Sequence, residues 1–145
     1  IYPDAFKFER IQTYSISPTR IFWDKVTILH QEAHRSSDAK FAERCARHYY
    51  DLYCLSNNKE IKNKAIKDKK LLKDVINFKL MFYPKPWAKY EECLEHKIKL
   101  IPSQDRLKRI KEDYIQMNGM FLEKQVAFDK IVKHLQNLEK ELNKK

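Results

Sequence analysis

Glycine is almost missing from this chain. There is 1 in 145 residues, where average usage would supply about ten. Tight hairpins and phosphate-cradling loops rely on glycine for positive φ, so a barrel, a sandwich, a complete Rossmann unit and a P-loop are all excluded, and the chain should be mostly helical. Long apolar runs are absent too: none approaches the ~20 residues of a membrane span, and no signal peptide is visible. The 3 cysteines (Cys45, Cys54 and Cys93) have no metal-ligand spacing, and their odd number fits a reducing compartment and a cytoplasmic location. Cys45 and Cys54 fall in a helical segment and read as packing residues. Acidic residues are outnumbered, 20 against 30 Lys+Arg.

The resulting net charge of +10 suits a polyanionic partner such as RNA, DNA or nucleotide phosphates; a lysine-rich chain with ordinary solvated helices has the same balance. Apolar residues make up 43%, enough for a packed core. The length fits one domain. The chain begins at Ile1, which points to a processed product or a piece of something longer.

Residues 5–16 are rich in β-branched and aromatic types and read as a strand-like lead. A lone strand is unstable, and the only internal candidate to pair with it is KIKLI at 97–101. Its sheet is therefore expected upstream, which makes 1–16 the end of a missing N-terminal domain and 17–145 a helical domain. Five helices are predicted. The first runs from about 18 to 35, with Ser17 as cap and Pro18 at the first position; Ile21, Lys25, Ile28, Leu29 and Glu32 share its inner face, and Trp23, His30 and His34 lie opposite. The second is capped by Asp38 and reaches about Leu55, the third spans about 60–83 until Pro84 and Pro86 stop it, the fourth follows Ser103, and the fifth covers about 127–142. The third helix carries seven lysines between Lys59 and Lys73.

Three constellations bear on chemistry. In RCARHYYDLYCL (44–55) a helix puts Arg44, Arg47 and Asp51 on one stripe, with His48 slightly to its side. Such a stripe grips a phosphate, or is a surface i,i+4 pair worth a few tenths of a kcal/mol. His30 and His34 have zinc-compatible spacing, but Gln31 stands where the metalloprotease signature needs glutamate, and no third ligand is indicated; packing histidines are the simpler reading. Lys25 lies on an apolar face where an unpaired ammonium is costly. It either reaches a triphosphate or snorkels toward Glu32.

The phrases SPTRIFWDKVTILHQEAHR (17–35) and ARHYYDLYCL (46–55), in this order, resemble the AbiEii/AbiGii toxin-type nucleotidyltransferase family of bacteria, in which a phrase close to "RTFWEK…LH.E.HR" precedes "RHYYDLY". The likeness continues through FYPKPWAKYEE (82–92), KLIPSQDRLKRIKEDYIQM (99–117) and FDKIVKHLQNLEKELN, and so covers nearly the whole chain. Departures are Asp24 for the usual glutamate, Ile21 for threonine, and LEKQVA (122–127) for a glycine- and proline-bearing stretch.

The resemblance implies a polymerase-β-like enzyme whose N-terminal half holds a Gly-Ser motif and an Asp-x-Asp pair for Mg²⁺. Neither motif occurs here, so the chain looks like the C-terminal helical half, and no metal ligand is expected in it. By resemblance, Lys25 and Asp51 are the catalytic residues, with Lys25 and Arg47, and more weakly Arg44, binding the nucleotide. The expected cofactors and partners of the full-length protein are Mg²⁺, an NTP, the missing N-terminal domain, an acceptor such as tRNA, and a cognate antitoxin. The alternative from the residues alone is a stand-alone basic helical module that binds RNA or a protein partner without catalysis.

Overall fold

The computed structural model describes residues 12–120 and 125–144. About 70% of the described residues are helical, and none is in a strand. Six α-helices follow in order: α1 (Pro18–His34), α2 (Arg47–Asn57), α3 (Lys59–Lys67), α4 (Lys69–Phe82), α5 (Gln104–Gln116) and α6 (Phe128–Leu142), with short 3-10 turns at Pro86–Ala88, Tyr90–Cys93 and Met117–Met120. Among the described residues, no helix is long and apolar enough to cross a membrane.

The helix boundaries follow from capping. Ser17 Oγ accepts from the Arg20 N–H at 3.3 Å, and Pro18 occupies a position whose N–H would be unpaired anyway. The polar turn after α2 does double duty, since Asn58 Oδ1 accepts from the Ile61 N–H at 3.1 Å and starts α3. The predicted third helix is two helices. Asp68 leaves helical geometry (φ −89°, ψ 75°) and its Oδ1 caps the Leu71 N–H at 2.9 Å, as short aspartate side chains do. The predicted second helix starts eight residues late, at Arg47, because Arg44 adopts φ 60° and Asp38 caps nothing there. The predicted fourth helix closes in the 3-10 turn, and Ser103 contributes only its backbone carbonyl to the start.

The center of the molecule is α1, against which α2, α3, α4 and the 3-10 turns at 86–93 all pack. Phe22, Trp23, Val26, Leu29, His30 and Ala33 are buried, so the expectation of one apolar stripe with Trp23 and His30 facing away is corrected: the helix is enclosed on nearly every side. Trp23 Nε1–H donates to the Ala65 carbonyl at 3.0 Å, and the small Ala65 lets α3 approach. On α6, Phe128, Ile131, Leu135, Leu138 and Leu142 form a buried stripe at helical spacing.

Residues 97–101 explain their strand-like pattern without a sheet. Ile98 and Leu100 are buried, but side chains of the α6 end replace a partner strand. Asn143 accepts from the Ile98 N–H and donates to its carbonyl, both at 2.8 Å, and Glu139 accepts from the Leu100 N–H at 2.5 Å. Of the strand-like lead, residues 1–11 lie outside the described residues and 12–17 are irregular and exposed.

The deepest charges lie at the end of α1. Glu32 is 4% exposed and Arg106 of α5 is 2% exposed. Glu32 accepts from Arg106 Nη2 at 3.3 Å and from Arg35 Nη2 at 2.7 Å, while Arg106 Nη1 donates to the Ser36 carbonyl at 3.1 Å. Removing one partner strands a buried charge. Glu32→Ala is therefore expected to lower the unfolding free energy by about 3–5 kcal/mol in urea titrations; a loss below about 1 kcal/mol, the size of a surface pair, would contradict this role.

Candidate functional site

The sequence left Lys25 a triphosphate or Glu32 as its destination, and the structure does not pair it with Glu32. Glu32 is held by the two arginines, and Lys25 Nζ instead lies 2.7 Å from Asp51 Oδ2 and 3.0 Å from His48 Nδ1. α1 presents Lys25 on the face shared with the half-buried Ile21 and Ile28, and α2 runs alongside it. His48 and Asp51 are three residues apart in one helix, so both point to the same side. The Lys25 side chain is 18% exposed and that of Asp51 40%, so the pair reaches solvent on the Asp51 side.

The start of α2 is set from α5. Asp113 accepts from the Arg44 N–H at 2.8 Å with one carboxylate oxygen and from the Ala46 N–H at 2.8 Å with the other. α2 has no side-chain cap of its own, so Asp113 takes that part from a distant helix. This clasp holds the left-handed turn at Arg44 and fixes where His48 and Asp51 fall.

Beside the cluster is a cleft of about 280 Å³ between α1 and residues 42–48, whose walls include Ile28, Gln31, Arg35, Arg44, Arg47 and His48. Arg44 and Arg47 therefore face one space, although not as a helical stripe, since Arg44 precedes α2. Both are exposed. The i,i+4 pair expected between Arg47 and Asp51 is not formed; among the described residues Asp51 pairs with Lys25. Arg35, on the cleft wall, also stacks over Trp87, with 4.9 Å to the ring centroid.

His48 is neutral. Burial, followed by the nearby Lys25 and Arg47 charges, lowers its pKa to about 4, which agrees with a ring nitrogen that accepts from an ammonium. With Nδ1 accepting, its proton is on Nε2.

His30, His34 and Glu92 form the one described group with metal-compatible geometry, their candidate ligand atoms within 4.8 Å of one another. The hydrogen bonds decide against a ligand role for His30. Its Nδ1 accepts from the Lys99 N–H at 3.0 Å, and its Nε2–H donates to the Lys89 carbonyl at 3.0 Å, so no lone pair is left for a cation. His34 donates from Nδ1 to the His30 carbonyl at 2.9 Å and turns Nε2 toward Glu92 at 3.5 Å. This is a histidine that ties α1 to residues 89–99, as the packing reading expected.

Sequence reasoning missed two residues. The His48–Lys25 contact was legible only as the i,i+3 spacing of His48 and Asp51. The Asp113 clasp had no local signal at all.

Burial lowers His30 as well as His48 to about 4. Unfolded, both rings bind protons near 6.5; folded, they do so only near 4, so the unfolded state takes up more protons between those values and stability falls as pH drops from about 6.5 to about 4. Ring resonances of His30 and His48 in an NMR titration are expected to stay unchanged from pH 7 to about 5. Protonation of either ring near pH 6.5 in the folded protein would contradict the assignment.

A family model described as "Nucleotidyl transferase AbiEii toxin, Type IV TA system" matches residues 2–134. No curated protein and no solved structure matches the chain.

Proposed function

This chain belongs to the AbiEii nucleotidyl transferase toxin family, and from that premise we propose that it is the C-terminal helical part of an enzyme that moves a nucleotide from an NTP to an acceptor such as tRNA. In this reading the acceptor oxygen attacks the α-phosphorus, a new P–O bond forms, and the bond to the leaving pyrophosphate breaks. Such displacements depend on positioning and on charge placed at the phosphates. Lys25 meets the triphosphate, Asp51 fixes its ammonium, and Arg47, with Arg44 behind it in the same cleft, adds positive charge.

The observation that carries the proposal is the convergence of Lys25 from α1 with Asp51 from α2 at 2.7 Å, beside a cleft that two further arginines enter.

Mg²⁺ is part of the family expectation, but the residues at Lys25 do not fit it. The one carboxylate there is already held by an ammonium, and no second one joins it among the described residues. Cation binding is thus assigned to the N-terminal part that the reading places outside this chain. A surface suited to that part adjoins α1. Phe78, Met81, Phe82 and Tyr83 are 41%, 73%, 59% and 57% exposed, and Arg20 of α1 stacks over Phe78 at 5.6 Å. Contiguous apolar side chains of this kind mark interaction surfaces.

The alternative, a basic module that binds RNA without catalysis, is favored by the α3–α4 lysines. Lys59, Lys64, Lys67, Lys69, Lys70 and Lys73 are all exposed, an arrangement that suits a phosphate backbone. The two readings part at Lys25. In the full-length protein, Lys25→Ala is expected to cut incorporation of labelled NTP into total tRNA by at least ~100-fold. The melting temperature should move by no more than about 3 °C, since an ion pair whose carboxylate is open to solvent contributes little. Activity above about half of wild type would defeat the assignment and favor the binding module.

A further inference from the structure

On the reading that Lys25 meets the triphosphate, we propose that His48 is the positioning residue of this site, holding the Lys25 ammonium on target without cancelling its charge.

A lysine ammonium has three N–H bonds. One goes to Asp51 Oδ2 at 2.7 Å and one to His48 Nδ1 at 3.0 Å, leaving a single N–H whose direction is fixed once the other two are engaged. A flexible four-carbon side chain thereby becomes an oriented donor, which is what a site that works by placement requires.

The choice of an imidazole matters electrically. Two carboxylates around Lys25 would leave a net negative charge facing an incoming triphosphate. A neutral ring supplies the lone pair and no charge, so Lys25 and Asp51 together are neutral and Arg47 sets the sign of the opening. The charged groups facing His48 are Lys25 and Glu32 from α1 and Arg47 and Asp51 from α2, with Glu43 and Arg44 on the adjoining cleft wall. Lys25 and Arg47 oppose an imidazolium, Asp51 and Glu32 favor one, and burial outweighs them all in keeping the ring neutral. The ring itself is half-buried on the helix that the Asp113 clasp anchors, so its Nδ1 is aimed by the backbone.

Two substitutions separate this role from packing. His48→Phe keeps a ring and removes the acceptor. His48→Asn loses ring volume but places a neutral carbonyl oxygen near the Nδ1 position. In the full-length protein, His48→Phe is expected to lower kcat/KM for NTP by about tenfold or more, and His48→Asn to stay within about threefold of wild type. Equal losses in both, or His48→Phe at more than half of wild-type kcat/KM, would overturn the proposal.

A second measurement needs no activity. In ¹⁵N-labelled full-length protein at pH 7, the His48 ring is expected to carry its proton on Nε2, and Lys25→Met is expected to shift the proton distribution toward Nδ1. An unchanged ring would refute the bond, even if His48→Phe did not fold. Should Lys25→Ala prove fully active, the triphosphate reading fails by itself, while the ring measurement still decides whether His48 holds Lys25.

Discussion

A carboxylate buried between two arginines sets the conditions for everything else in this molecule. Glu32 is almost out of solvent, and such a charge is tolerated only with its partners in place. Arg106 reaches it from α5 and simultaneously binds the Ser36 carbonyl, while Arg35 caps it from the same turn. One group thereby joins the end of α1, the irregular stretch that follows, and the first half of α5. α1 can then be enclosed by α2, α3 and α4 without leaving its polar end unsatisfied.

The site depends on that frame through a second carboxylate. Once α5 is docked, Asp113 lies where it can receive the Arg44 and Ala46 N–H groups, which starts α2 at the right place along α1. Only then do His48 and Asp51 meet Lys25. The chain thus spends two acidic residues of one helix pair on positioning, and the cationic opening with Arg44 and Arg47 is the consequence. The bundle leaves the apolar end of α4 uncovered.

Much of this was legible in the residues. Ser17-Pro18 and the prolines at 84 and 86 are local signals, and they mark real boundaries. Lys25 stood out because an ammonium on an apolar face demands a partner. Glu32, one of the two partners the sequence allowed it, is taken by Arg106, a pair 74 residues apart that leaves no periodic trace. The second helix was predicted too early because FAERCAR has helical spacing, while the turn at Arg44 is imposed by Asp113 from outside. Residues 97–101 read as a strand for a sound reason: their backbone does pair, but with Asn143 and Glu139 side chains. Tertiary contacts overrode local pattern in each of these cases.

The central claim is that Lys25, aimed by Asp51 and His48, is where this family member meets the phosphates of its nucleotide. The most direct measurement is a crystal structure of the full-length protein with a non-hydrolysable NTP analogue and Mg²⁺. The account expects the Lys25 ammonium within hydrogen-bonding distance of a triphosphate oxygen while it keeps its contacts to Asp51 and His48. A triphosphate bound elsewhere, with Lys25 and Asp51 still paired and facing away from it, would contradict the account.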